Sequence, residues 1–338
     1  MPDHGFHDLT VVEMVDETPD ARSFVLAVPP ALRSLFMYEA GQFCTFRVRI
    51  DGEEHLRCYS MSSAPSTSSP TLTVTVKRVP DGVVSNWLND SVSAGDVLSV
   101  TKPAGVFCLR DASTPVIAFC GGSGVTPVMS LARVVLSGTD RPLRLLYANR
   151  DRSSVIFESA LESLTDRHAD RFVLQHHIDA DAGYLTAPDI ATFVGDQLDA
   201  DFYICGPTAF MDLVEKTLLD LGVDPDQIWI ERFTTPPTSA APPPSSTTEA
   251  VTLMLSGKRT TVPYQPGDTV LETARRAGLR PPFSCEAGNC ATCMALVKDG
   301  SATLRTNNAL TPEELAEGWI LTCQALPDSP TLTVDYDA

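Results

Sequence analysis

Four cysteines place the tightest constraint on this chain. Cys285, Cys290 and Cys293 follow C-x4-C-x2-C, and Cys323 comes thirty residues after the third. Four thiolates at this spacing complete the tetrahedral sulfur sets of the two irons in a 2Fe-2S cluster. Gly288, inside the run, permits the tight loop that turns backbone amides toward the sulfurs. A four-cysteine zinc site usually arrives as two C-x2-C pairs, of which this sequence holds only one, Cys290 and Cys293. The other five, Cys44, Cys58, Cys108, Cys120 and Cys205, read mostly as small apolar fillers. Nine cysteines is an odd number for a disulfide framework, and the first residues lack the basic and apolar regions of a secretory signal. A reducing cytoplasm is therefore the expected compartment.

At 338 residues the chain exceeds what one core serves. The run TTPPTSAAPPPSSTTE over 234–249 reads as a semi-rigid linker, since proline-rich chain favours extended polyproline geometry. Before it, residues 1–110 hold short β-branched runs at 9–12, 43–50, 72–76 and 97–100 separated by Pro, Gly, Asp and Ser, the pattern of a small antiparallel β-barrel. Residues 111–233 alternate strands at 115–120, 143–148, 172–177 and 202–205 with helical stretches near 125–137, 155–165 and 207–221. That alternation predicts a doubly wound parallel α/β sheet. Residues 250–338 form a third, α+β unit: two strands, a helix near 269–277, the cysteine loop and a last strand at 331–336. The formal charge of −18 repels nucleic-acid phosphates and anionic lipid heads, and no apolar run approaches membrane-helix length. Nucleic-acid and membrane partners are not expected, and the chain is expected to be a monomer.

Two further groups of residues carry chemistry. Arg57-Cys58-Tyr59-Ser60 ends a strand and offers a cation, an aromatic face and a hydroxyl within four residues. Downstream, Gly82-Val83-Val84-Ser85 precedes a short helix expected at 86–89, so amides at its N-terminus and the Ser85 hydroxyl are placed to hold a phosphate oxygen. In the second unit a strand runs into Gly121-Gly122-Ser123-Gly124-Val125-Thr126-Pro127 and a helix, an arrangement that cradles a pyrophosphate although it is not G-x-G-x-x-G. Cys205-Gly206-Pro207 places another turn at the carboxyl end of a strand, the edge where open α/β sheets bind ligands. Taken singly, Tyr59 is also compatible with a plain strand aromatic, Ser85 with an N-cap and Cys205 with a buried filler.

The loop CEAGNCATC with LTCQA resembles the plant-type ferredoxins, which implies a β-grasp fold for 250–338. In order, RCYS, GVVS, GGSGVTP and CGP resemble the ferredoxin-NADP reductase superfamily over about residues 5 to 233. The whole chain is similar to the single-chain reductase components of bacterial oxygenases, most like those of 3-ketosteroid 9α-hydroxylase and phenylacetyl-CoA epoxidase. That resemblance implies that Arg57 binds a flavin phosphate, Tyr59 stacks on the isoalloxazine, and Ser60 hydrogen-bonds near its N5. Gly82 and Ser85 would serve the flavin phosphates. Gly121, Gly122, Gly124, Thr126 and Pro127 would hold the nicotinamide dinucleotide, and Cys205, Gly206 and Pro207 would lie beside its ring. Glu231 and Phe233, in ERF, would lie by the flavin, and the four cysteines would ligate the cluster. FAD is expected over FMN, although the phthalate dioxygenase reductase group shares the domain order and uses FMN. NADH is expected over NADPH: Arg150 and Arg152 could grip a 2′-phosphate, but Asp151 opposes it.

The three sites fit one purpose. NAD(P)H gives two electrons as a hydride and a 2Fe-2S cluster takes one, so a flavin is needed between them. The expected function is electron transfer from NADH through FAD and the cluster to the terminal oxygenase or hydroxylase component of a multicomponent system. The alternatives are a reductase for a hybrid-cluster protein or cytochrome, and a flavin and iron–sulfur redox sensor.

Overall fold

Alternation of apolar and polar residues builds the first sheet. Its strands are β1 (Phe6–Thr18), β2 (Ala21–Ala27), β3 (Phe43–Ile50), β4 (Glu53–Ser60), β5 (Thr71–Lys77) and, after helix α1 (Val83–Ser91), β6 (Val97–Thr101). The structure is a computed structural model that describes residues 6–66, 70–233, 248–283, 288, 291–307 and 309–338. The sheet order is β4-β3-β6-β1-β2-β5 with antiparallel pairing throughout, and a bridge between Met61 and Val74 draws its two ends into a barrel. Leu9, Phe24, Leu26, Phe46, Val74, Val76 and Val100 fill it. Helix α1 begins at Val83 with Gly82 as N-cap, three residues earlier than expected. β-branched Val83 and Val84 weaken helix propensity only slightly, whereas Val84 and Leu88, four apart on one face, are both buried in the barrel core.

The second sheet consists of five parallel strands in the order β11-β10-β7-β8-β9. Its elements are β7 (Val116–Gly121), α2 (Val125–Gly138), β8 (Leu143–Asn149), α3 (Glu158–Arg167), β9 (Phe172–Ile178), α4 (Asp179–Ala182), α5 (Ala187–Val194), β10 (Asp201–Cys205), α6 (Thr208–Asp220) and β11 (Ile228–Glu231). Every residue of β7 and β10 is buried, as a parallel sheet covered on both faces requires. Ala118, Cys120, Leu145 and Cys205 face α2 and α3, while Ile117, Phe119, Phe202 and Ile204 face α5 and α6. From β7 the chain proceeds to β8 and β9 on one side, then returns to β10 on the other. The carboxyl ends of β7 and β10 are thus the switch point of the sheet.

Barrel and sheet are joined by hydrogen bonds at a shared seam. Tyr203 Oη donates to the Cys108 carbonyl at 3.1 Å and accepts from Arg110 N at 2.8 Å, and Ser130 Oγ donates to the Ser63 carbonyl at 2.6 Å. Behind Tyr203, buried Asp201 pairs with equally buried Arg141 at 2.5 Å, and Arg141 also donates to the Thr114 and Arg110 carbonyls. Removing one partner of a buried pair leaves the other charge uncompensated. Asp201→Asn is expected to cost ~3 kcal/mol or more in denaturant unfolding, with the KM for nicotinamide coenzyme unchanged, because Asp201 lies at the amino end of β10, away from the switch point.

The third unit is a mixed sheet of order β13-β12-β18-β14-β16 with a small two-stranded antiparallel sheet, β15-β17, beside it. Its elements are β12 (Ala250–Leu255), β13 (Lys258–Pro263), α7 (Val270–Arg276), β14 (Met294–Asp299), β15 (Ala302–Leu304), α8 (Pro312–Ala316), β16 (Trp319–Leu321), β17 (Ala325–Pro327) and β18 (Thr331–Asp335). Strands β12 and β18 pair in parallel, and Val270, Leu271 and Ala274 bury one face of α7. Residues 234–247 of the expected linker lie outside the described residues. Its last two, Thr248 and Glu249, hydrogen-bond Ser329 and Pro330 and so belong to this unit. No helix among the described residues is long and apolar enough to cross a membrane.

Candidate functional site

Two glycine loops meet at the switch point with no room for side chains. A Cβ on Gly124 would lie 2.1 Å from the Cys205 carbonyl oxygen and 2.7 Å from Gly206 N, and one on Gly206 would lie 3.0 Å from Gly121 N. Gly122 adopts φ +53°, in the left-handed region, which turns the chain from β7 into α2. Tyr147 Oη supports this loop by donating to the Gly122 carbonyl at 3.2 Å, and the Thr126 hydroxyl closes it by donating to Ser123 O at 3.0 Å. Thr126 is therefore a brace within the loop. Pro127 is buried in the first turn of α2, and Pro207 precedes α6.

Helix starts at this site are open. Helices α5, α7 and α8 each begin with a threonine capping box, whereas α1, α2 and α6, and likewise α3 and α4, begin with no side-chain cap. At α1 and α6 the first-turn amides lack intrahelical acceptors and point at whatever lies beyond, which suits phosphate, while at α2 the Val125 N–H already donates to the Gly122 and Ser123 carbonyls. At α1 the Ser85 hydroxyl accepts Val79 N–H at 3.1 Å, closing the turn around Gly82, whose own Cβ would lie 2.7 Å from that oxygen. Ser85 thus lies inside the helix it was expected to precede.

On β4, Arg57 is exposed, Tyr59 is half-buried and Ser60 is buried. Tyr59 packs edge-on to Phe46 at 5.4 Å, and burial raises its phenol well above the ordinary range, so it stays neutral. Glu231, at the end of β11, is in register with Cys205 and is buried, while Phe233 is exposed. The Cys205 thiol is fully buried in the apolar cluster under α2, and burial with the nearby Glu231 carboxylate raises its pKa far above normal. Cys108 is pushed up to about 12 by burial, then by Glu39 and Glu231. It is the Cys205 carbonyl, therefore, that meets the Gly124 loop. Sequence reading missed two supports of the site. Lys77 Nζ lies 3.8 Å from where a Gly122 side chain would begin, bringing a cation from the barrel, and Tyr147 holds the loop from below. Neither lies in a motif.

The cluster residues fall in two groups. Cys285 and Cys290 lie outside the described residues. Antiparallel pairing of Met294 with Leu321 brings the segments bearing Cys293 and Cys323 together, and Thr322 secures them by donating from Oγ1 to the Cys293 carbonyl at 2.7 Å. Both thiols are buried among Leu271, Leu310 and Leu321. Gly288 adopts φ +76°, and a Cβ there would lie 2.8 Å from the Thr306 carbonyl. Sulfur donors in a dry, glycine-shaped pocket fit a 2Fe-2S cluster.

Comparison with known proteins agrees with this geometry. Residues 8–108 match the oxidoreductase FAD-binding domain family, residues 119–216 the oxidoreductase NAD-binding domain family, and residues 253–328 the 2Fe-2S iron-sulfur cluster binding domain family. The chain is 36% identical over 342 residues to the ferredoxin reductase component of 3-ketosteroid-9-alpha-monooxygenase from Mycolicibacterium smegmatis, covering 98% of this chain and 97% of that one. It belongs to the oxygenase reductase family. One component of the 1,2-phenylacetyl-CoA epoxidase of Escherichia coli is 33% identical to this reductase, with 98% of each chain covered. Among solved structures, phthalate dioxygenase reductase matches with a TM-score of 0.61 at 28% identity over 98% of both chains. The reductase is accordingly a flavin and iron–sulfur oxidoreductase with sites for FAD, a nicotinamide dinucleotide and a 2Fe-2S cluster. FAD, when bound, takes up a hydride and releases its electrons one at a time.

Proposed function

We propose that this reductase takes hydride from NADH in preference to NADPH and delivers single electrons to a separate terminal oxygenase component, a Rieske-type iron oxygenase or a di-iron hydroxylase. The observation that carries the reading is the side-chain-free contact of residues 121–124 with residues 205–206 beside the barrel. There Gly121, Gly122 and Gly124 admit the pyrophosphate to the open start of α2, and Gly206 and Pro207 leave space for the nicotinamide. Arg57 and the open start of α1 hold the flavin phosphates, Tyr59 covers the isoalloxazine, and Ser60 hydrogen-bonds near its N5. Glu231 supplies a carboxylate at the seam, and Phe233 screens it. Cys285, Cys290, Cys293 and Cys323 hold the cluster. No residue needs to move a proton, since hydride transfer asks mainly for stacking in contact.

The coenzyme preference rests on the residues after β8. Arg150 lies 2.7 Å from Asp151 and Arg152 3.1 Å from Asp181, so each guanidinium that could take a 2′-phosphate has a carboxylate beside it that would oppose the added negative charge. Asp151 is drawn down to about 2, first by the Arg150 hydrogen bond and then by Ser153. Its folded pKa lies below the usual carboxylate value, so the ionised side chain is present at all working pH and is lost only as pH falls toward 2. Anaerobic titration followed by absorbance is the test. NADH is expected to bleach flavin and cluster bands together, needing more than one NADH per flavin. NADPH is expected to require at least ~10-fold more coenzyme at about pH 7 and above, where Asp151 and the 2′-phosphate are both fully ionised. Equal response to the two coenzymes would overturn the preference, and bleaching of flavin without the cluster would overturn the relay.

A further inference from the structure

Along β3 the side chains of Cys44, Phe46 and Val48 enter the barrel core, so Thr45 between them faces outward. An outward threonine on a barrel wall is ordinarily wet, yet Thr45 is 1% exposed. Part of its cover comes from the third unit: Thr45 Oγ1 lies 3.2 Å from Thr292 Oγ1 and 3.4 Å from Cys58 Sγ. Thr292 immediately precedes the cluster ligand Cys293, and Cys58 immediately precedes Tyr59. A second contact lies further out, where Arg280 Nη1 approaches Glu53 Oε2 at 3.7 Å with both side chains exposed, a pair that contributes little.

We propose that Thr45 and Thr292 are positioning residues that seat the cluster loop on the outer wall of the flavin barrel, one residue from Tyr59 on one side and one residue from Cys293 on the other. This rests on the reading that Tyr59 meets the flavin and Cys293 ligates the cluster. A hydroxyl can donate one hydrogen bond and accept others, so Thr45 can join Cys58 and Thr292 in a single chain of contacts, and valine of the same shape cannot. Loss of one neutral hydrogen bond shifts an equilibrium by ~3- to 10-fold.

The test uses the FAD- and cluster-loaded chain with Thr45→Val, Thr292→Val and the hydroxyl-retaining Thr292→Ser. One readout is independent of turnover: the rate of Cys58 alkylation by iodoacetamide, followed by peptide mass spectrometry. Both valine variants are expected to label Cys58 ~3- to 10-fold faster, with wild-type labelling restored in Thr292→Ser. In stopped flow, cluster reduction is expected to slow by a similar factor while flavin reduction by NADH and iron content stay unchanged. Unchanged labelling and unchanged cluster reduction in both valine variants would overturn the proposal. If NADH fails to reduce the cluster even in the wild type, the underlying relay reading fails. Labelling then decides the contact separately, and unchanged labelling again overturns it.

Discussion

Cys323→Ser yields a protein that has lost its cluster and kept its flavin chemistry. Cys323 is 6% exposed and lies across the β14–β16 pair from Cys293, among Leu271, Leu310 and Leu321, with Gln324 Nε2 at 3.8 Å from its sulfur. A serine oxygen is a hard, weakly acidic ligand where the irons require soft thiolates. Iron and acid-labile sulfide should fall to background, and the reduced-cluster EPR signal should vanish. Transfer to a terminal oxygenase or to cytochrome c should drop at least ~100-fold. NADH-to-ferricyanide activity should stay within about twofold, because the barrel and parallel sheet carry that reaction by themselves. A full EPR signal in the variant would refute the ligand assignment, and loss of ferricyanide activity as well would show that the units depend on one another.

Gly124→Ala attacks the other end of the relay. The added methyl would lie 2.1 Å from the Cys205 oxygen and 2.4 Å from its carbonyl carbon, both backbone atoms at the end of a fully buried strand. Neither can rotate away, so the two loops must part by roughly an ångström, a displacement that can cost ~100-fold where reacting groups are held in contact. Flavin reduction by NADH is expected to slow by that order and the KM for NADH to rise. Stability should fall by ~1–3 kcal/mol from overpacking. FAD content and the dithionite-reduced cluster spectrum should be normal. Gly138, at the far end of the same helix, serves as the control: a methyl added there would meet nothing within 4 Å, and Gly138→Ala should be neutral in every measurement.

The parts of the site that sequence made legible are those in which chemistry dictates spacing. Cluster ligands must recur at fixed intervals, and a dinucleotide loop must put glycines where a strand becomes a helix, so both announce themselves along the chain. The parts that stayed hidden depend on residues far apart. Thr45 and Thr292 are separated by 247 positions, and nothing local distinguishes either from an ordinary strand or loop threonine. Asp201 likewise sits in an apolar strand pattern, and only folding places Arg141 beside it. Ser85 and Thr126 stand in motifs that the sequence displays, but their bonds to Val79 and Ser123 are short-range geometry that composition does not reveal. The start of α1 was missed because β-branched residues open it, and burial of Val84 settled what propensity left open.

The bare starts of α1, α2 and α6 have a thermodynamic corollary. At α5, α7 and α8 a threonine capping box completes the first turn, a contribution worth ~1 kcal/mol per cap. Of the bare starts, α1 and α2 are the ends to which the proposed function brings phosphate oxygens, which would supply the acceptors the chain itself does not. Coenzyme and flavin would in that sense be the missing N-caps of the fold: their binding adds to its stability with the logarithm of free ligand concentration above Kd, and the holoprotein is expected to melt later than the polypeptide by itself.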